Sequence, residues 1–196
     1  MRALISNHFI TRWLCTLTSA LLVFASLYAN AQSDSVIERR VLVGLKIFRT
    51  LVAADLNISE KVNSTNSLPI LILYANNRVK ALEYGEHLKS ISNTINDLPI
   101  EVIIKPINHL QPEENQQYAA VFISQKLDNN EINLAVNYGA TQHVVVFSPF
   151  EGDVERGVLG GLSVQATVRP LVNIKALNTS QLAIKPFYLK VAKLYE

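Results

Sequence analysis

The chain has 196 residues, 49% of them apolar, and a formal net charge of +2. Arg2, Arg12 and the single cysteine, Cys15, all lie in the first 31 residues, which hold no acid. The remainder is therefore formally neutral and thiol-free. That excludes a basic face for nucleic acid or anionic lipid, a disulfide, a thiolate nucleophile and a cysteine metal site.

The opening reads as an export signal. Arg2, His8 and Arg12 make a mildly basic start, the next apolar run is densest from Ala20 to Tyr28, and Ala29-Asn30-Ala31 puts small residues where a signal peptidase reads them. From Trp13 to Tyr28 the stretch is shorter than the ~20 apolar residues a membrane span needs, and it contains Thr16, Thr18 and Ser19. Residues 1–31 are thus expected to be a cleaved secretory signal. Residues 32–196 are expected to form one periplasmic domain with no membrane span. Without disulfides that domain must rest on its core, which the remaining 165 residues (196 less 31) allow.

Val41, Leu45, Phe48, Leu51 and Val52 recur at helical spacing, with Arg39, Arg40, Lys46 and Arg49 mostly on the other face. They predict a helix over Val36–Ala54. A polar loop, Asn57 to Ser67, leads to Leu68–Ala75, a continuous apolar run that reads as a strand buried on both faces. The next element is a helix over Arg78–Ile95 with Val79, Leu82, Leu88, Ile91 and Ile95 inward. Pro99 opens a second strand, Ile100–Ile107, and residues 108–117 form a polar connection with a helical turn after Pro112. Then come a strand over Tyr118–Ile123, a helix over Asn129–Ala140 carrying Ile132, Leu134, Ala135 and Val136, and a strand over His143–Phe147. This alternation is the signature of βαβ units around a largely parallel sheet.

Residues 161–175 alternate at period two on either side of Arg169-Pro170, and a proline belongs at a sheet edge or turn. A closing helix over Pro186–Tyr195 would bury Phe187, Leu189, Val191, Ala192 and Leu194. The expected fold is α/β: a single three-layer domain with a largely parallel sheet, a C-terminal β-hairpin added antiparallel at its edge, and that closing helix.

Phe147 to Ala176 gathers glycines, acids, a proline and an arginine as no other stretch does. Glu151, Asp153 and Glu155 could hold a cation or act as an acid–base pair. Val154 and Val158, however, occupy positions where a calcium loop needs oxygen ligands, so a solvated turn with Gly152 at its bend fits better. Gly157, Gly160 and Gly161 match neither the dinucleotide fingerprint nor a Walker loop, and they lead into a strand instead of a helix; they read as structural turn residues. Arg169 and Asn173, four apart in an extended segment, can share one face. They could bind a carboxylate or amide; alternatively Arg169 pairs with Glu151, Asp153 or Glu155 across the hairpin and Asn173 satisfies backbone groups in the next turn, the reading preferred here. His87, His109 and His143 lack zinc-site spacing, and no serine sits in a nucleophile elbow. No cofactor, metal site or catalytic residue is assigned. Glu151, Asp153, Glu155, Arg156, Arg169 and Asn173 stand as candidates for binding a partner or ligand.

Gly160-Gly161, then Val168-Arg169-Pro170-Leu171-Val172-Asn173, then Leu177, and last Leu189-Lys190-Val191-Ala192 within the closing helix resemble the YfiR/HmsC-like family of periplasmic regulators. The helix Val41–Ala54 fits that family's opening helix. The chain departs from the pattern in lacking cysteines after Cys15, in having Ala53-Ala54-Asp55 where a Trp-Pro pair is common, and in the insertion from Phe150 to Val158. The resemblance implies a non-enzymatic regulator that binds the outer part of an inner-membrane signalling protein, such as a diguanylate cyclase or a sensor kinase. It leaves a homodimer open. The alternative is a small-ligand domain using the carboxyl ends of the strands, near Ala75-Asn76-Asn77, Ser124-Gln125 and Ser148-Pro149.

Overall fold

The computed structural model describes residues 35–112 and 117–196. The expected signal with Cys15, and the helical turn expected beyond Pro112, fall outside these residues. The chain divides into two compact units, residues 1–39 and 40–196. Of the first, residues 35–39 are described and are helical. The second is an α/β domain. Among the described residues no helix is long and apolar enough to cross a membrane.

The second unit opens with α1 (residues 40–53) and a 3-10 turn, Ile58–Lys61. Next come β1 (Leu68–Tyr74), α2 (Arg78–Ile91), β2 (Thr94–Ile95) and β3 (Leu98–Pro106). After them stand β4 (Ala120–Ile123), α3 (Asn129–Gln142), β5 (Val145–Phe147) and β6 (Gly160–Val164). The chain closes with β7 (Val168–Asn173), α4 (Ile174–Thr179), α5 (Pro186–Val191) and β8 (Lys193–Tyr195). The strands form one sheet in the order β2-β3-β1-β4-β5-β6-β7-β8. From β3 to β6 neighbours run parallel; β2 is antiparallel to β3, β7 is antiparallel to β6, and β8 runs parallel to β7.

Packing places the helices on both faces, giving three layers. Ile72, Phe122 and Phe147 stand in register on one face. Phe122 and Phe147 stack at 5.8 Å, and Phe48 of α1 meets Phe122 edge-on at 5.3 Å. Such contacts add about 0.5–1.5 kcal/mol per pair beyond the area they bury. On the same face Gly85 lets α2 close onto Ile72, Val102 and Ile104. On the opposite face Gly139 of α3 lies over Val146, where an added Cβ would sit 2.5 Å from its Cγ2. A Lys61–Asp55 ion pair of 2.6 Å is buried beside the sheet; Lys61 also donates to the His143 carbonyl, and Asp55 accepts from the Asn57 amide.

The expected α/β class, the βαβ alternation and the antiparallel hairpin are present. The closing helix is corrected. Only Pro186–Val191 is helical; Ala192 turns extended and Lys193–Tyr195 become β8. Leu171 and Val172 of β7 offer an unpaired edge, and pairing with it satisfies backbone groups that a longer helix would leave on β7. Ala192 is buried and Leu189 partly so, but Phe187, Val191 and Leu194 are exposed, not buried. The hairpin is consequently not the edge, because β8 lies outside it. The helix expected to run to Ile95 stops at Ile91, since Thr94–Ile95 pair with β3; Val79 and Leu82 of α2 face solvent, as does Leu134 of α3.

Candidate functional site

The stretch between β5 and β6 is a corner held from within. Ser148 directly succeeds β5 and is fully buried; its Oγ donates to Asp153 Oδ2 at 2.5 Å and accepts from the Phe150 amide at 3.2 Å. Asp153 is 1% exposed, and its other oxygen receives Arg156 Nη2. Arg156 Nη1 reaches Asn129 Oδ1 at 2.9 Å, tying the turn to the first turn of α3. The Asp153 carbonyl accepts from the Val158 amide, and Arg40 of α1 donates to the Pro149 carbonyl. Gly152 and Gly157 adopt φ of +86° and +107°, which side chains resist. Gly160 and Gly161 serve close approach: a Cβ would sit 2.5 Å from Leu51 at the first and 2.5 Å from Val154 at the second.

Asn173 completes this corner. It is buried at the end of β7, where its Nδ2 donates to the Val154 carbonyl at 2.8 Å and its Oδ1 accepts from the Ala176 amide at 2.8 Å as N-cap of α4. One amide thus joins the acidic turn, the hairpin and a helix start. Arg169 does not pair with the turn's acids. Its Nε and Nη2 instead grip the Val191 carbonyl at 3.3 and 3.1 Å, linking β7 to the end of α5. Of the six candidate binding residues, Asp153 and Asn173 are sealed inside, Arg156 and Arg169 brace backbone or acid, and Glu151 and Glu155 stay exposed. Among the described residues no group of three or more His, Cys, Asp or Glu is placed to hold a metal ion.

At the strand ends expected to suit a small ligand, the protein engages its own polar groups. Crossovers diverge from β1 toward β3 and β4, the arrangement whose carboxyl ends usually frame a ligand. Here Gln125 Oε1 receives the amides of Ala75, Asn76 and Asn77 at 3.3, 3.1 and 3.0 Å, and its Nε2 donates to the Asn77 carbonyl at 2.5 Å. Ser124 Oγ is engaged with the Leu73 carbonyl at 2.7 Å. Three amides that could meet a ligand's oxygen already meet a side-chain oxygen. No local motif around Gln125 announces this role.

Two other features stand out. Exposed apolar side chains stand on the last elements of the sheet: Val164 and Val168 flank the hairpin tip, Phe187 and Val191 lie on α5, and Leu194 on β8. A separate cleft of about 410 Å³ opens between α3, the acidic turn, α4 and the end of β8. The structure brings Glu155, Arg156, Gly157 and Asn173 to the wall of that cleft. Sequence reasoning passed over Ser180, which also lines it.

No family model matches the chain, and no curated protein matches it. Among solved structures it is similar to an ABC domain in complex with L-Trp from Streptococcus pneumonia, with 11% identity and a TM-score of 0.45. That alignment covers 74% of this chain and 61% of the other, so the chain spans less than two thirds of that protein's length.

Proposed function

We propose that this chain is a non-catalytic, exported regulator of the YfiR/HmsC-like kind, which docks a protein partner through its apolar outer edge. The observation that carries the reading is the set of uncovered apolar side chains on α5 and β8, where Phe187 is 63% and Val191 54% exposed. Large apolar side chains left exposed on neighbouring elements are a feature of interaction sites when they gather into one patch. Lys190 and Lys193 stand exposed beside them, and no ion pair is formed by either among the described residues. The fitting partner is therefore a protein segment with apolar side chains flanked by acids. The open side of β8 can also accept one more strand.

The corner supports the same reading from the other side. Ser148 and Asp153, which in sequence could suggest chemistry, are sealed from solvent and hold each other. The outer part of an inner-membrane signalling protein is the partner class proposed. In the test, tagged protein is purified from membranes of the native cell. The wild type is expected to bring down such a protein, and the Phe187→Asp/Val191→Asp double variant is expected to lose it while keeping its melting temperature. Equal recovery with both proteins, or no recovery with either, refutes the assignment.

A further inference from the structure

β8 is the last strand of the sheet, and among the described residues no strand lies on its outer side. Such an edge presents unpaired N–H and C=O groups and is a template for one more strand. The register shows what each face of the edge offers. Gly160, Leu162 and Val164 of β6 stand opposite Val172, Pro170 and Val168 of β7, and Val172 is in register with Leu194 of β8. Residues in register share a face, and successive residues of a strand alternate between faces. Val168, Val172 and Leu194 therefore face one side, while Arg169, Leu171, Lys193 and Tyr195 face the other.

The first side is apolar. Val168 and Leu194 are exposed on it. It is also the side of α1, whose Leu51 lies where a Gly160 Cβ would point, and Tyr188 of α5 bonds the Thr50 side chain of the same helix. Phe187 and Val191 of α5 are exposed. The second side is cationic. Arg169 is exposed and donates to a backbone carbonyl, that of Val191, so no carboxylate offsets its charge. Lys193 is exposed and forms no ion pair among the described residues. Glu151 and Glu155 line a recess with Lys193, but both belong to the turn packed on Gly161 of β6. From Gly157 to Tyr195 the chain carries Arg169, Lys175, Lys185, Lys190 and Lys193 and no Asp or Glu. A second copy laid along β8 would bring cations to cations, with no acid on β6, β7, α5 or β8 to answer them.

Resting on the docking reading above, we propose that the partner adds a β-strand to the outer side of β8, with acidic side chains on the Arg169–Lys193 face alternating with apolar ones on the Leu194 face. Backbone bonds along β8 supply affinity, and the period-two alternation supplies specificity.

The test titrates a short capped peptide of alternating Glu and Val into the isotope-labelled protein and tracks backbone amide shifts. One control peptide has the same composition sorted into an acidic block and an apolar block; a second has Lys in place of Glu. Saturable shifts are expected at Lys193, Leu194 and Tyr195, with both controls at least about fivefold weaker, as expected when cross-strand charge pairs are lost. Lys193→Glu is expected to weaken the Glu–Val peptide roughly three- to thirtyfold and to strengthen the Lys–Val peptide, because attraction across the strand pair becomes repulsion. If Lys193→Glu fails to fold, the three peptides on the wild type still decide. A block peptide that binds as tightly as the alternating one overturns the strand, and an unchanged affinity in Lys193→Glu overturns the acid. Shifts at β8 produced by phosphatidylglycerol vesicles and by no peptide assign the edge to a lipid surface, and dimerisation that occupies β8 assigns it to a second copy; either overturns the proposal. Capture of a membrane partner through Phe187 and Val191 without any peptide response keeps the docking surface and overturns the added strand.

Discussion

Asn173 offers the sharpest test of whether the corner is structural or a binding surface. Asn173→Ala removes the N-cap of α4, typically worth about 1 kcal/mol, and leaves the Val154 carbonyl without its donor in a buried setting, about 1–3 kcal/mol. Together these predict a loss of roughly 3 kcal/mol, or about 6–12 °C in melting temperature for a chain of this size. Asn173→Asp separates the two parts. Its carboxylate keeps the acceptor for the Ala176 amide but turns the Val154 contact into oxygen against oxygen. Burial and that carbonyl both raise the new carboxyl's folded-state pKa above its unfolded value near ~3.9. A raised folded pKa means that the stability contributed by the protonated form, which can donate to Val154, is fully present below the unfolded value. It is lost as pH rises through the folded one. The Asp variant should therefore approach wild-type stability in acid and fall away toward neutrality. Urea unfolding across pH, with an unchanged m-value, measures this. A loss under about 0.5 kcal/mol for Asn173→Ala, or a pH-independent deficit for Asn173→Asp, would refute the account.

The packing predicts three further outcomes. Gly160→Ala should cost about 1–3 kcal/mol by driving a methyl into Leu51, and thermal unfolding should show the loss relieved in a Gly160→Ala/Leu51→Ala double variant. Lys61→Met should cost about 3–5 kcal/mol at neutral pH by leaving the Asp55 carboxylate buried and unpaired, read by urea midpoint. Burial pushes the Tyr188 phenol above its ordinary value, with the Thr50 side chain offsetting part of the shift. Its stabilising contribution is thus complete below the unfolded value near ~10 and is lost as pH rises toward the folded one. Alkaline unfolding should begin at higher pH in Tyr188→Phe.

Much of the fold was legible because its signals are local. Leu68 to Tyr74 is apolar at nearly every position, and only a strand covered on both faces can bury such a run. Asp128 with Glu131 forms a capping box, and the α3 start expected at Asn129 is where that box places it. The end of the chain misled for a physical reason. Phe187, Leu189, Val191 and Leu194 are compatible with either period, and only the unpaired edge of β7 chose strand over helix after Ala192. The candidate site divides in the same way. Glycines and acids marked the corner, but whether Asp153 and Asn173 face a partner or are bound within the corner depends on separate segments meeting, as Asn173 meets Val154, 19 residues away.

By itself the sequence determined the α/β class, the alternation of the main strands and helices through Phe147 though not the short β2, and where the chain bends, since hydrophobic period and turn chemistry act over a few residues. Tertiary structure alone decided that Gln125 takes up the strand-end amides, that the acids of the corner are partly interior, and that apolar side chains of α5 and β8 and a separate cleft remain open. Those outcomes depend on which distant groups find one another, and burial and hydrogen-bond satisfaction are properties of the assembled molecule, not of any one stretch.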